Sequence, residues 1–111
     1  MTQITDEYMR EQLSRSRTYC FVLLRATPKR KEPGADKLVW EHGRRNFGLR
    51  QEGLLAIVCP ATGEGDVRAV AIFNADVVTT KKIMDDDPAV AAGIFTYETY
   101  ECRGFPGDKL P

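Results

Sequence analysis

A leading helix followed by β-α-β-β-α-β is the order this sequence predicts: an α+β, ferredoxin-like fold with an extra N-terminal helix. Three observations predict it. Four stretches have the composition of strands: TYCFVLLRA (18–26), LLAIVC (54–59), VRAVAIF (67–73) and IFTYETYEC (94–102). Segments of helical period, 38–52 and 76–85, fall between the first and second strands and between the third and fourth. Only the turn ATGEGD separates the second strand from the third, so these two form a hairpin. At 111 residues, one domain burying roughly 65% of the unfolded chain's surface is expected.

The elements follow in order. Thr5 can cap the first helix, Asp6 and Glu7 suit its positive end, and Ile4 can staple onto Met9, while Arg15 and Arg17 stand at its negative end. The first strand is apolar on both alternating sets of residues, as in a strand covered on both faces. TPKRKEPGADK (27–37) is a loop punctuated by Pro28 and Pro33-Gly34, and its Lys29-Arg30-Lys31 cluster is either a solvated patch or a greeting for an anion. The helix from Leu38 to about Glu52 carries Trp40, Gly43 and Phe47 on one stripe, with Leu38, His42, Arg45 and Leu49 beside it. Gly53 fits its left-handed stop. Pro60 stops the second strand, and Asp76 caps a short helix reaching Asp85. The expected organisation is a helical extension (1–17), a core (18–102) and a Gly/Pro-rich tail, RGFPGDKLP (103–111).

Two helices cover only one face of a four-stranded sheet, yet the first three strands are apolar on both. A second copy of the sheet would cover the other face, so a homodimer with a barrel-like shared interior is expected.

Sixteen basic residues balance sixteen acidic ones, which leaves no general attraction to nucleic acid or to an anionic membrane surface. Cys20, Cys59 and Cys102 are widely spaced, each in or beside an apolar stretch. They read as buried free thiols of a reducing compartment, neither a disulfide framework nor a metal knuckle, although a catalytic cysteine served by His42 is an alternative. MTQITDEYMREQ is too polar for a signal peptide, and no apolar run approaches membrane-spanning length, so the cytoplasm is the expected location. No nucleotide-binding or metal-binding motif is present, and no cofactor is expected.

Two blocks carry a resemblance to a known family. His42 is followed across one helix by Gly53, then Leu54-Leu55 and a strand ending at Pro60. Asp87-Pro88 continues as Val90-Ala91-Ala92-Gly93 into the last strand. In these blocks and in element order, from about Thr18 to Glu101, the chain resembles the YCII-related proteins of the dimeric α/β-barrel superfamily. The segments before Thr18 and after Arg103 lie outside the likeness, and the charged loop before His42 is longer than in short family members. The resemblance implies a dimer of ferredoxin-like domains with a histidine–aspartate active-site pair, which maps onto His42 and Asp87. Relatives in that superfamily include muconolactone isomerases, enzymes that eliminate chloride from chlorinated hydroxyquinols, and monooxygenases without cofactors. Fold alone therefore does not select a reaction.

Histidine, with an ordinary pKa near 6.5, can take and return a proton near neutrality, and a carboxylate bonded to one ring nitrogen makes the other a better base. Pro88 drives Asp87 out of helical geometry. On the residues alone, the structural reading leads, with Asp87 an N-cap ahead of a proline at the first helical position and His42 a partly buried polar residue, and it is the resemblance that favours the catalytic one. The roles are compatible, because a carboxylate has two oxygens. Asp85 and Asp86 oppose the helix dipole and receive no role. A metal site built from these carboxylates and His42 is a minor alternative, and none is assigned. Trp40 and Phe47 either stack on a planar ligand or join the core, while Arg25 and Arg45 either anchor an oxyanion or form surface ion pairs.

The expected function is a small cofactor-independent enzyme that moves a proton on an organic acid, lactone or ring ketone, by isomerisation or elimination. The competing class is a non-catalytic dimeric module binding an unknown small molecule or a partner. A third reading, a stabiliser of a larger complex that makes contact through the tail, has little support in the residues.

Overall fold

The computed structural model describes all 111 residues, Met1–Pro111. The elements are α1 (Asp6–Ser14), β1 (Arg17–Ala26), a 3-10 turn (Pro28–Lys31), α2 (Ala35–Gln51), β2 (Leu55–Pro60), β3 (Val67–Phe73), α3 (Val77–Asp85), a single helical turn α4 (Pro88–Ala91) and β4 (Phe95–Gly104). The strands form one antiparallel sheet in the order β2-β3-β1-β4, the arrangement of a ferredoxin-like fold. No helix is long and apolar enough to cross a membrane.

Local chemistry accounts for the boundaries. Thr5 caps α1 and Asp76 caps α3, each accepting from the N–H three residues on. Two helices end in the same way: Gly53 at φ 78° and Gly93 at φ 75° take the left-handed position. The pairs Gly53→Arg50 and Leu54→Leu49, and Gly93→Val90 and Ile94→Ala89, complete two Schellman motifs. Each hands the chain directly to a strand.

Differences from the sequence expectation are local. α2 begins at Ala35, three residues early, because Gly34 at φ 87° turns the chain into it. The loop before it holds a 3-10 turn capped by Thr27, with Pro28 at the first position. Pro60 lies within β2, an edge strand where a missing N–H is tolerated.

The core lies between the sheet and the helices. Val22 and Leu24 of β1, Phe73 of β3, Leu55 of β2 and Phe95 of β4 meet Ala35 and Leu49 of α2, Met84 of α3 and Ala89 of α4. Of the two alternatives for Trp40 and Phe47, the core is excluded, for the residues are 70% and 63% exposed. The neighbouring stripe, with Ala35, His42 and Leu49, faces the sheet instead. Both stripes satisfy a 3.6-residue period, and the smaller side chains let the helix lie close to the strands.

The opposite sheet face is open. Alternation along the paired strands places Tyr19, Phe21, Leu23 and Arg25 there from β1, Ile57 and Cys59 from β2, Val70 and Ile72 from β3, and Glu98, Tyr100 and Cys102 from β4. None of these is buried, and Phe21 stacks on Tyr100 with ring centroids 4.9 Å apart. Helix α1 buries no residue and leaves Tyr8, Met9 and Leu13 exposed.

Candidate active site

Forty-five residues apart in the chain, His42 and Asp87 meet in the space between α2 and the α3–α4 break. His42 Nδ1 lies 2.7 Å from Asp87 Oδ1, with side chains 11% and 1% exposed. The fold supplies each half by ordinary means. His42 is on the sheet-facing stripe of α2, its ring edge-on to Phe95 at 5.1 Å. Asp87 is extended, φ −69° and ψ 131°, as the residue before Pro88 must be, and this swings its carboxylate off the helix line.

The aspartate does both jobs that its sequence context allows. Oδ1 faces His42, while Oδ2 accepts from the N–H groups of Ala89 (3.0 Å) and Val90 (3.1 Å) and so caps α4. Burial pushes the Asp87 carboxyl up. The His42 hydrogen bond and charge, with the Val90 and Ala89 N–H groups, outweigh burial and hold it below the usual carboxylate range.

Hydrogen-bond roles around the imidazole follow from its neighbours. An ionised carboxylate only accepts, so Nδ1 carries the hydrogen toward Asp87. On the other side, the Asn46 amide nitrogen stands 3.3 Å from Nε2 and donates to its lone pair. Nε2 is thus the basic nitrogen.

His42 and Asn46 line a cavity of about 320 Å³ between α2 and the sheet, walled by Leu24, Val39, Phe47, Val58 and Phe95, with Arg30 and Arg68 also on its lining. A groove of about 530 Å³ continues it along the outside of α2, between Trp40 and Phe47. Arg30, Val39, Gly43 and Phe47 border both spaces.

The remaining candidates separate. Phe47 borders cavity and groove, whereas Trp40 borders the groove alone. Arg45 Nη1 is 3.9 Å from Asp87 Oδ1, behind the pair and outside the cavity lining. Arg25 is away from the site, on the open sheet face, tied to Glu98 (3.0 Å) and Asp66 (3.3 Å). Cys20 is buried, Cys59 and Cys102 are half-buried, all three are free, and none borders the cavity. No group of three or more His, Cys, Asp or Glu side chains converges anywhere, so the cavity presents no ready cation ligand set beyond a histidine and an aspartate already bonded to each other. Asp85 has a partner after all, the Tyr97 hydroxyl, at 2.6 Å.

Three cavity residues were not singled out from the sequence. Asn46 had a signal, its i+4 spacing from His42 on one helix. Arg68 had a weaker one, a lone charge within the apolar strand VRAVAIF. Arg30 was seen only as part of a basic cluster.

No protein-family model matches the chain, and no curated protein matches it. Among solved structures the chain is similar to 5-chloro-2-hydroxyhydroquinone dehydrochlorinase from Burkholderia phenoliruptrix AC1100, in its complex with 2,5-dihydroxybenzoquinone. The two are 19% identical over 79% of this chain and 95% of that one, with a TM-score of 0.48.

Proposed function

We propose that this protein is a cofactor-independent enzyme that moves a proton on a small organic acid, lactone or ring ketone, with His42 as general base and Asp87 as its orienting partner. The observation that carries the reading is the 2.7 Å Nδ1–Asp87 contact, buried behind a cavity that His42 lines. In this mechanism Nε2 removes a proton from a carbon next to a carbonyl, and the electron pair moves onto the carbonyl oxygen as an enolate. The imidazolium formed is stabilised by the Asp87 carboxylate. Return of the proton to another carbon isomerises the substrate. Departure of a leaving group from the neighbouring carbon, with its bonding pair, is elimination.

The experiment replaces His42 with Gln and Asp87 with Asn in the folded protein and assays a panel of such acids, lactones and ring ketones. Loss of turnover in both variants is expected, and full turnover in both ends the catalytic claim. A binding module is the second reading, favoured by the exposed Trp40–Phe47 groove. It predicts ligand affinity that depends on those aromatics and not on His42.

We also propose a homodimer formed through the open sheet face. Its support is the apolar stripe of Phe21, Leu23, Ile57, Val70 and Ile72, which would otherwise face water. The cavity lies on the other side of the sheet, so such a dimer leaves it accessible. Val70→Lys, at a 45% exposed position on a central strand, is expected to give a monomer in analytical ultracentrifugation that still folds. A wild-type monomer would refute the assembly.

A further inference from the structure

The cavity in front of His42 carries an unbalanced charge. Two guanidinium groups border it and no carboxylate does. Arg30 is answered by Asp36, Nη1 to Oδ1 at 2.7 Å. Arg68 makes no ion pair. Its Nη1 donates to the carbonyls of Gly63 (3.1 Å) and Gly65 (3.2 Å) and its Nη2 to that of Ala61 (2.7 Å). These bonds fix the head group against the turn between β2 and β3. They use three of the five guanidinium N–H donors and leave Nε–H and one Nη2 hydrogen without a protein acceptor. A half-buried cation, its head group held by three carbonyls, with two donors spare and no ion pair of its own, is a preformed seat for a carboxylate; Glu64 and Asp66 border the space on its outer side, and Asp66 is already paired with Arg25.

We propose that Arg68 is the anion-anchoring residue of this site, and that the ligand is a small planar ring or conjugated acid bearing a carboxylate. The carboxylate would meet the free edge of Arg68, with the apolar body among Phe47, Val39 and Leu24. The rest of the molecule is then presented to His42. Neither Arg25 nor Arg45 serves this purpose, since neither borders the cavity. The inference rests on the reading of this cavity as the substrate site and narrows its substrate class; it does not depend on His42 being the base.

The test titrates benzoate and its neutral isostere benzamide into the full-length protein by calorimetry, using wild type, Arg68→Gln, Arg68→Lys and His42→Gln. Wild type is expected to prefer benzoate. Arg68→Gln weakens benzoate about tenfold or more and leaves benzamide within about twofold, while Arg68→Lys retains part of the preference. In the wild-type protein, benzoate also shifts the Arg68 Nε–H resonance in nitrogen-15 spectra, a readout independent of how any variant folds. Absence of that shift, no preference for benzoate, or equal weakening of both compounds by Arg68→Gln, as loosening of the turn would cause, overturns the anchoring role. His42→Gln separates the two claims. Benzoate preference surviving with turnover intact refutes the base and leaves the anchor standing. Turnover lost with no benzoate preference in wild type does the reverse.

Discussion

Asn46 stands one helical turn after His42, and its amide nitrogen is 3.3 Å from Nε2, the ring nitrogen that Asp87 does not hold. The imidazole is therefore held from both sides. An asparagine amide donates to Nε2 when that nitrogen is bare, and by turning over it accepts from Nε2 once a proton has arrived. One side chain can serve both protonation states that a general base passes through.

Asn46→Asp removes that choice, because a carboxylate only accepts. It favours hydrogens on both ring nitrogens and takes away the free lone pair. Nitrogen-15 spectra of the neutral His42 ring should place its hydrogen on Nδ1, facing Asp87, in wild type. Turnover of any substrate found should fall about tenfold or more, in kcat more than in KM.

Asp87 also sets an acid limit on stability. Its folded carboxyl titrates below the ordinary range, so the stabilisation it gives is complete above the unfolded value, near pH 4, and disappears as pH falls through the lower folded value. Asp87→Asn has a single acceptor oxygen and cannot both cap α4 and receive Nδ1–H. Its thermal midpoint should lie below that of wild type near neutrality, and the gap should narrow steadily below about pH 4 in scans taken across that range.

How far the sequence shows this site depends on how local each signal is. Long apolar runs and Gly/Pro punctuation placed every strand to within a few residues. Asp87-Pro88 followed by Gly93 spelled out a cap, a first turn and a stop, and all three stand in the structure. The pairing of His42 with Asp87 needed the family resemblance, since nothing local to either residue names the other. Whether Trp40 and Phe47 join the core or line a ligand groove was open in the sequence, because two stripes of α2 fit a helical period and only the sheet decides between them. Arg25 and Arg68 are both arginines near the ends of apolar strands, and the composition of those strands says nothing about which borders the cavity.

Tyr97 gives the run of aspartates its structural meaning. Its hydroxyl donates to Asp85 at 2.6 Å and so ties the end of α3 to β4. Burial and that bond to a carboxylate push the phenol up to about 12. Tyr100 is also held up, by its bond to the Glu98 carboxylate, so an alkaline titration followed by tyrosine absorbance should lose one late-ionising phenol in Tyr97→Phe and keep that of Tyr100. A variant titration identical to wild type above pH 11 or so would contradict the assignment.

Gly43 is where access to His42 can be tested without touching the chemistry. It lies within α2 between Trp40 and Phe47 and borders both the cavity and the outer groove. A Cβ placed on it meets no atom within 4 Å, and its φ is not in the left-handed region, so neither packing nor backbone geometry requires glycine there. A mid-helix glycine with no such requirement costs about 0.5–1 kcal/mol relative to alanine. Gly43→Ala should thus raise the urea midpoint by a corresponding amount while leaving benzoate affinity within about twofold. Gly43→Leu keeps the helix but extends a branched side chain into the space the two hollows share. If ligands reach His42 along this groove, the leucine variant should be at least as stable as wild type and bind benzoate about tenfold more weakly or worse. Unchanged affinity in a folded leucine variant would mean that entry to the cavity lies elsewhere, from the side of the β2–β3 turn that Arg68 holds.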